Sequence, residues 1–134
     1  MANEARRVPI GCVEDIVTAR QKGRALALEL GFDTADATLI AAAISEVSRN
    51  IVEYAGRGEI ILQPLRNGAV HGLCMVARDE GPGIADTRQA MQYGYSSRRG
   101  MGVGLPGARC LVDEFDIESA PGAGTTVTMK KWLS

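Results

Sequence analysis

The sequence predicts an α+β two-layer sandwich: a mixed, mostly antiparallel sheet with helices on one face. Three observations carry that reading. Two stretches with apolar residues at helical spacing come first, over 14–30 and 34–54. An Asn67-Gly68 pair between two apolar runs then marks a hairpin. Two more strand-like runs close the chain on either side of the turn Pro121-Gly122-Ala123-Gly124. With 134 residues the chain is expected to be one domain over 1–134. That length can bury a core without disulfides or metals.

The elements follow in order. Residues 6–11 read as a short edge strand. In 14–30, Ile16, Ala19, Gly23, Leu26, Ala27 and Leu30 share one stripe, and Gly31 is placed to cap the helix. Asp33 or Thr34 can cap the second helix, which runs to about Tyr54 and is closed by Gly56. Its core stripe is Ile40, Ile44, Val47 and Ile51. Glu46, Asn50 and Glu53, with Arg49 beside them, form a polar row about 120° round the helix. Strands are predicted over 59–65 and 70–78, joined through Arg66-Asn67-Gly68-Ala69. A short helix is predicted over 86–93 and a third over 105–112. Strands over 115–119 and 125–132 end the chain.

Composition narrows the function. Lys and Arg number 15 against 16 Asp and Glu, a net charge of −1. A nucleic-acid binder shows a basic excess, so none is expected here. The longest apolar run, 39–44, falls far short of the ~18 residues of a membrane span, and no membrane association is expected. The N-terminus has no apolar stretch after Arg6 and Arg7, so it does not read as a signal peptide. Cys12, Cys74 and Cys110 lack short pairing and fit a reducing cytoplasm. Cys74 and Cys110 read as small buried hydrophobes. With His71 as the one histidine, beside the hairpin turn, neither a zinc site nor a Ser-His-Asp triad can be assembled. Aromatic residues are only 4%, so the core must be built from Leu, Ile, Val and Ala.

Three features carry chemistry. Glu46 and Asn50 lie one turn apart and project together. A carboxylate can accept a proton, and an amide oxygen is a hard ligand suited to Mg²⁺. A solvated helix face would use the same pair. Next, Asp79-Glu80-Gly81-Pro82-Gly83 ends a strand. There a flat ligand can lie against backbone while the carboxylate accepts a hydrogen bond, and an adenine amino group is a natural donor. A plain tight turn uses these residue types too. Last, Gly100-Met101-Gly102-Val103-Gly104 precedes a helix and can offer several N–H groups to an anion. It is neither a Walker loop nor a Rossmann fingerprint, because the spacing and the surrounding units differ.

In this order, with Gly122-Ala123-Gly124-Thr125-Thr126 before the last strand, the motifs resemble the Bergerat-fold ATPases of the GHKL superfamily. Within it the chain is similar to the stand-alone anti-sigma-type serine/threonine kinases, the switch kinases of the bacterial stressosome. The likeness runs from about Ile16 to Lys131-Trp132-Leu133. It includes Arg20-Gln21-Lys22-Gly23-Arg24, Glu29-Leu30-Gly31-Phe32, Ala43-Ile44-Ser45-Glu46, Arg49-Asn50-Ile51, Gly104-Leu105-Pro106-Gly107 and Asp113-Glu114-Phe115. A sensor histidine kinase would add a dimerisation helix pair with a phosphoacceptor histidine, for which this sequence has neither room nor residue.

The resemblance implies roles. Glu46 would be the general base and Asn50 the Mg²⁺ ligand. Asp79 would hold the adenine amino group, with Gly81 and Gly83 beside it giving the base room. Gly100, Met101, Gly102, Val103 and Gly104 would wrap the phosphates of ATP. Thr126 would support Asp79 through a hydroxyl or a water. Arg49, Arg98 and Arg99 are candidate phosphate contacts. The segment Tyr95-Ser96-Ser97-Arg98-Arg99 is more basic than the small polar stretch expected of such a kinase. The implied substrate is a serine on a STAS-domain antagonist protein. The implied second partner is a serine phosphatase that the kinase activates on release, within a stressosome complex. The alternatives are a kinase that binds a sigma factor directly and a nucleotide-binding partner-switch module without catalysis.

Overall fold

The computed structural model describes residues 5–83 and 104–133. Strand β1 (Arg6–Ile10) leads into helix α1 (Val13–Leu30) and helix α2 (Thr34–Tyr54). Strands β2 (Gly58–Asn67) and β3 (Val70–Asp79) form the hairpin. Helix α3 (Gly104–Cys110) is followed by β4 (Glu114–Ser119) and β5 (Thr125–Trp132). The strands make one sheet in the order β1-β2-β3-β5-β4, and all four pairings are antiparallel. The 86–93 helix expected from the sequence lies outside the described residues.

Local chemistry explains the helices. Asp15 sits in the first turn of α1, where its Oδ2 accepts the Gly11 N–H at 2.8 Å. The helix ends where Gly31 enters the left-handed region at φ 105°. Asp33 caps α2 by accepting the Asp36 N–H at 2.8 Å, satisfying one of the free donors at a helix start. At the other end Ala55 and Gly56 both donate to the Ile51 carbonyl. The hairpin turns one residue later than its sequence signal. Asn67 pairs with Val70, so Gly68 and Ala69 form the two-residue loop, with the glycine in its first position.

Alternation decides what the sheet buries. Val8, Ile60, Leu62, Leu73, Met75, Ala77, Val127 and Met129 point to one face. There they share a single core with Leu26 of α1 and Ile40, Ile44, Val47 and Ile51 of α2. Helix α3 packs its Leu105 and Ala108 into the same core. The described helices therefore all cover one face, and the residues between the core positions form the other. Cys74 lies half-buried on that second face, while Cys110 is exposed at the end of α3, which corrects the buried role expected of it. Among the described residues no helix is long and apolar enough to cross a membrane.

Candidate active site

The helical pitch of α2 brings Glu46 and Asn50 to one face. That face is not a solvated one. The side chain of Glu46 is 17% exposed, and Asn50 is 9% exposed. The Arg49 guanidinium reaches Glu46 Oε1 at 3.1 Å, an i,i+3 pair that holds one carboxylate oxygen. Among the described residues no hydrogen bond ties down the Asn50 amide. The Ser48 hydroxyl, between these residues in sequence, is buried without a hydrogen-bond partner as well.

Asp79 closes β3. Its Oδ1 accepts the Gly81 N–H at 2.9 Å, an Asx turn that fixes the carboxylate. The loop after it is clamped by the β4–β5 turn, where the Gly122 N–H donates to the Pro82 carbonyl at 2.7 Å. Gly83 (φ 79°) and Gly124 (φ 77°) both sit in the left-handed region. A Cβ at Gly83 would strike the Ala120 carbonyl, and one at Gly124 the Asp79 carbonyl. The room these glycines leave is taken by neighbouring backbone, so they bring two loops into contact behind Asp79. A Cβ at Gly81 would stand 2.6 Å from Ala55 Cβ, so this loop also abuts the end of α2. The nine residues from Ala55 back to Glu46 span about 13 Å of helix axis. Along the helix axis the Asp79 loop thus meets α2 at its C-terminal end, with Asn50 and then Glu46 further back.

One assignment changes. Thr126 pairs with Arg78, which points to the face without helices, so its hydroxyl cannot support Asp79. Thr125 pairs with Asp79 and shares its face. Thr125 is 6% exposed, and its hydroxyl lies 2.8 Å from Ser119 Oγ, which donates to the Gly124 carbonyl at 2.9 Å. Strand periodicity could have found it: Thr125 alternates with the apolar Val127 and Met129, Thr126 with Thr128 and Lys130. Gly104 (φ 45°) begins α3. Gly100, Met101, Gly102, Val103, Arg98 and Arg99 lie outside the described residues.

Glu46 and Asn50 offer hard oxygen donors on one half-buried strip, which fits a Mg²⁺ ion that brings most of its ligands with a polyphosphate. Among the described residues no group of three His, Cys, Asp or Glu side chains gathers to hold a metal by itself.

The chain is 49% identical over 119 residues to the serine/threonine-protein kinase RsbT of Bacillus subtilis, covering 89% of this chain and 90% of that one. It is 32% identical over 98 residues to an anti-sigma F factor of Caldanaerobacter subterraneus, covering 70% of this chain and 68% of the relative. The crystal structure of the RsbU and RsbW domains of Rv1364c from Mycobacterium tuberculosis superposes with a TM-score of 0.64. At 22% identity that likeness shows a shared fold; it covers 98% of this chain and 33% of the other. Likeness to a kinase over nearly the whole chain supports protein kinase activity and use of ATP. Residues 35–134, which carry the α2 strip, the Asp79 loop and the whole β2–β5 sheet, match the model of the histidine kinase-, DNA gyrase B- and HSP90-like ATPases, and the chain belongs to that family.

Proposed function

We propose that this chain is an ATP-dependent protein serine kinase, acting as one domain in the cytoplasm. Its substrate is a serine on a STAS-domain antagonist protein. Its second role is to bind and activate a serine phosphatase once the antagonist lets go. The observation that carries the reading is the strip along α2. The loop of a fixed carboxylate, Asp79, abuts the C-terminal end of that helix, and a half-buried carboxylate, Glu46, lies further back, with the Asn50 amide between them along the axis. Such a strip suits a ligand with a base at one end and a phosphate tail at the other.

The free oxygen of Asp79 accepts the adenine amino group, while Oδ1 stays on the Gly81 N–H. Thr125, held by Ser119, lines the same corner. Asn50 and Glu46 face the phosphates, and Asn50 supplies an oxygen for Mg²⁺. When bound, that ion would neutralise charge on the phosphate oxygens. Glu46 takes the proton of the substrate serine as its oxygen bonds to the γ-phosphorus. The bond from that phosphorus to the bridging oxygen breaks, and ADP leaves. Arg49 keeps Glu46 oriented for the proton.

The likeness to an anti-sigma F factor favours one further reading, a kinase that binds a sigma factor directly. Radiolabelled ATP with a candidate STAS protein, alongside a sigma-factor pull-down, separates the two. The proposal expects label on one serine of the STAS protein, lost when that serine becomes alanine, and no sigma factor retained. Label without dependence on that serine, or retention of the sigma factor, contradicts it.

A further inference from the structure

We propose that the outer edge of β4 takes up an extended segment of another protein as an added strand, and that this segment alternates basic with apolar residues. Strand β4 ends the order β1-β2-β3-β5-β4, and among the described residues no strand lies on its far side. Alternate N–H and C=O groups of an edge strand point away from the sheet and can template a further strand. The two edges of this sheet are built differently. Strand β1 contains Pro9, and its Arg6 and Arg7 are engaged by Glu29 and Glu59. Proline fits an edge strand with its missing donor facing out, so β1 cannot complete an outer ladder. Strand β4, Glu114–Ser119, holds no proline, glycine or lysine. Its register with β5 runs without a bulge from Glu114 opposite Lys130 to Ser119 opposite Thr125. One edge is blocked and the other is open.

The side chains of β4 select the occupant. Glu114, Asp116 and Glu118 form an exposed acidic row on the helix-free side. Lys130 stands across from Glu114, whose Oε2 also accepts the Trp132 indole N–H at 2.6 Å. Asp116 and Glu118 stand across from Thr128 and Thr126 and have no ion-pair partner among the described residues. Opposite charges on directly facing residues stabilise a strand pair, so basic residues suit the outer neighbours of these two acids. Phe115 and Ile117 turn to the helix side, where they pack against the core and keep part of their surface exposed. A strand that offers an apolar residue between two basic ones extends the core over that surface. The same row excludes a second copy of β4. Antiparallel pairing of two identical edges would set acid against acid.

This edge leads away from the nucleotide corner. Ser119 and Thr125 stand at the Asp79 end of the β4–β5 pair, and Glu114 stands at the other. Main-chain hydrogen bonds supply the affinity of an added strand, and its alternate side chains supply the selectivity. From Glu114 to Glu118 the strand spans roughly 14 Å, so the contact is far smaller than a standard interface and binding is weak.

Fluorescence anisotropy of short end-capped peptides with the full chain tests this. A peptide alternating lysine with valine should bind, and one alternating glutamate with valine should not. A third peptide keeps the lysines but is N-methylated throughout, which removes every backbone donor, and it should lose binding. Asp116→Lys and Glu118→Lys should each weaken the lysine peptide by roughly fivefold, since a favourable cross-strand pair becomes an unfavourable one. Both variants should bind the glutamate peptide better than the parent does, a gain that an unfolded variant could not show. Nucleotide affinity should stay at the parental value in both. Hydrogen exchange over 114–118 should slow when the lysine peptide is added. Failure of the lysine peptide to bind overturns the proposal, as does equal binding of the glutamate peptide. Binding that survives N-methylation, or that is indifferent to both substitutions, overturns it too, because charge attraction alone would then account for the contact.

Discussion

The two faces of the sheet are built from the same strands and differ by one residue of register. On the helix side Leu62, Met75 and Met129 are fully buried, and Asp79 and Thr125 stand at the end of that same face. On the other side Gln63, Cys74 and Lys130 alternate with them, and charge gathers at the edges. The site is thus an extension of the core's own pattern. In the proposed function, the side chains that would face the nucleotide, Asp79 and Thr125, continue the strand alternation whose earlier members hold the fold together. A single step along β5 separates a residue beside the site from one with no access to it.

Truncation breaks this comparison most sharply. Leu62→Ala opens a cavity beneath α1 and α2 and should cost about 2–5 kcal/mol of unfolding free energy. The adjacent Gln63→Ala should stay within about 0.5 kcal/mol. Urea unfolding of both variants checks this, and similar losses would mean the faces are not distinct. Thr125→Val and Thr126→Val make the same comparison at the site. Losing the Thr125 hydroxyl removes its hydrogen bond to Ser119 and should weaken nucleotide binding by about 1 kcal/mol, roughly fivefold. Thr126→Val should leave affinity unchanged by calorimetry. The reverse order would return the supporting role to Thr126.

A smaller effect sharpens the account of the open face. Burial pushes the Cys74 thiol above its ordinary range, so little of it is thiolate near neutral pH. Iodoacetamide should therefore label Cys74 more slowly than the exposed Cys110, with the gap narrowing as pH rises. Mass spectrometry of timed digests reads it. Equal labelling at neutral pH would make this face plain solvent-exposed surface.

Much of this was legible before any coordinates. Helical spacing located α1 and α2, the Asp33 cap and the Gly31 stop, because each is decided within one or two turns of chain. The Asx turn at Asp79 is local too. What escaped depended on partners distant in sequence. Gly83 looked like room for a ligand, yet its freedom, like that of Gly124, serves the contact between the Asp79 loop and the β4–β5 turn, more than 35 residues further on. The polar row of α2 reads as solvated until the end of β3 and α3 are packed beside it. Cys110 reads as core by composition, but α3 is short and ends with it on the surface. Thr125 is the exception, since the alternation of Val127 and Met129 already marked its face.

In the proposed function α2 divides binding from chemistry, with Glu46 as the base. Glu46→Gln keeps the size and the hydrogen-bonding end of the side chain but cannot take a proton. Calorimetry with an ATP analogue and Mg²⁺, paired with phosphate transfer to the STAS-domain substrate, tests it in one preparation. Nucleotide affinity should stay within about twofold of the parent, and the rate of transfer should fall by roughly 10²- to 10⁴-fold, the usual contribution of a general base. Transfer at the parental rate by Glu46→Gln would contradict it.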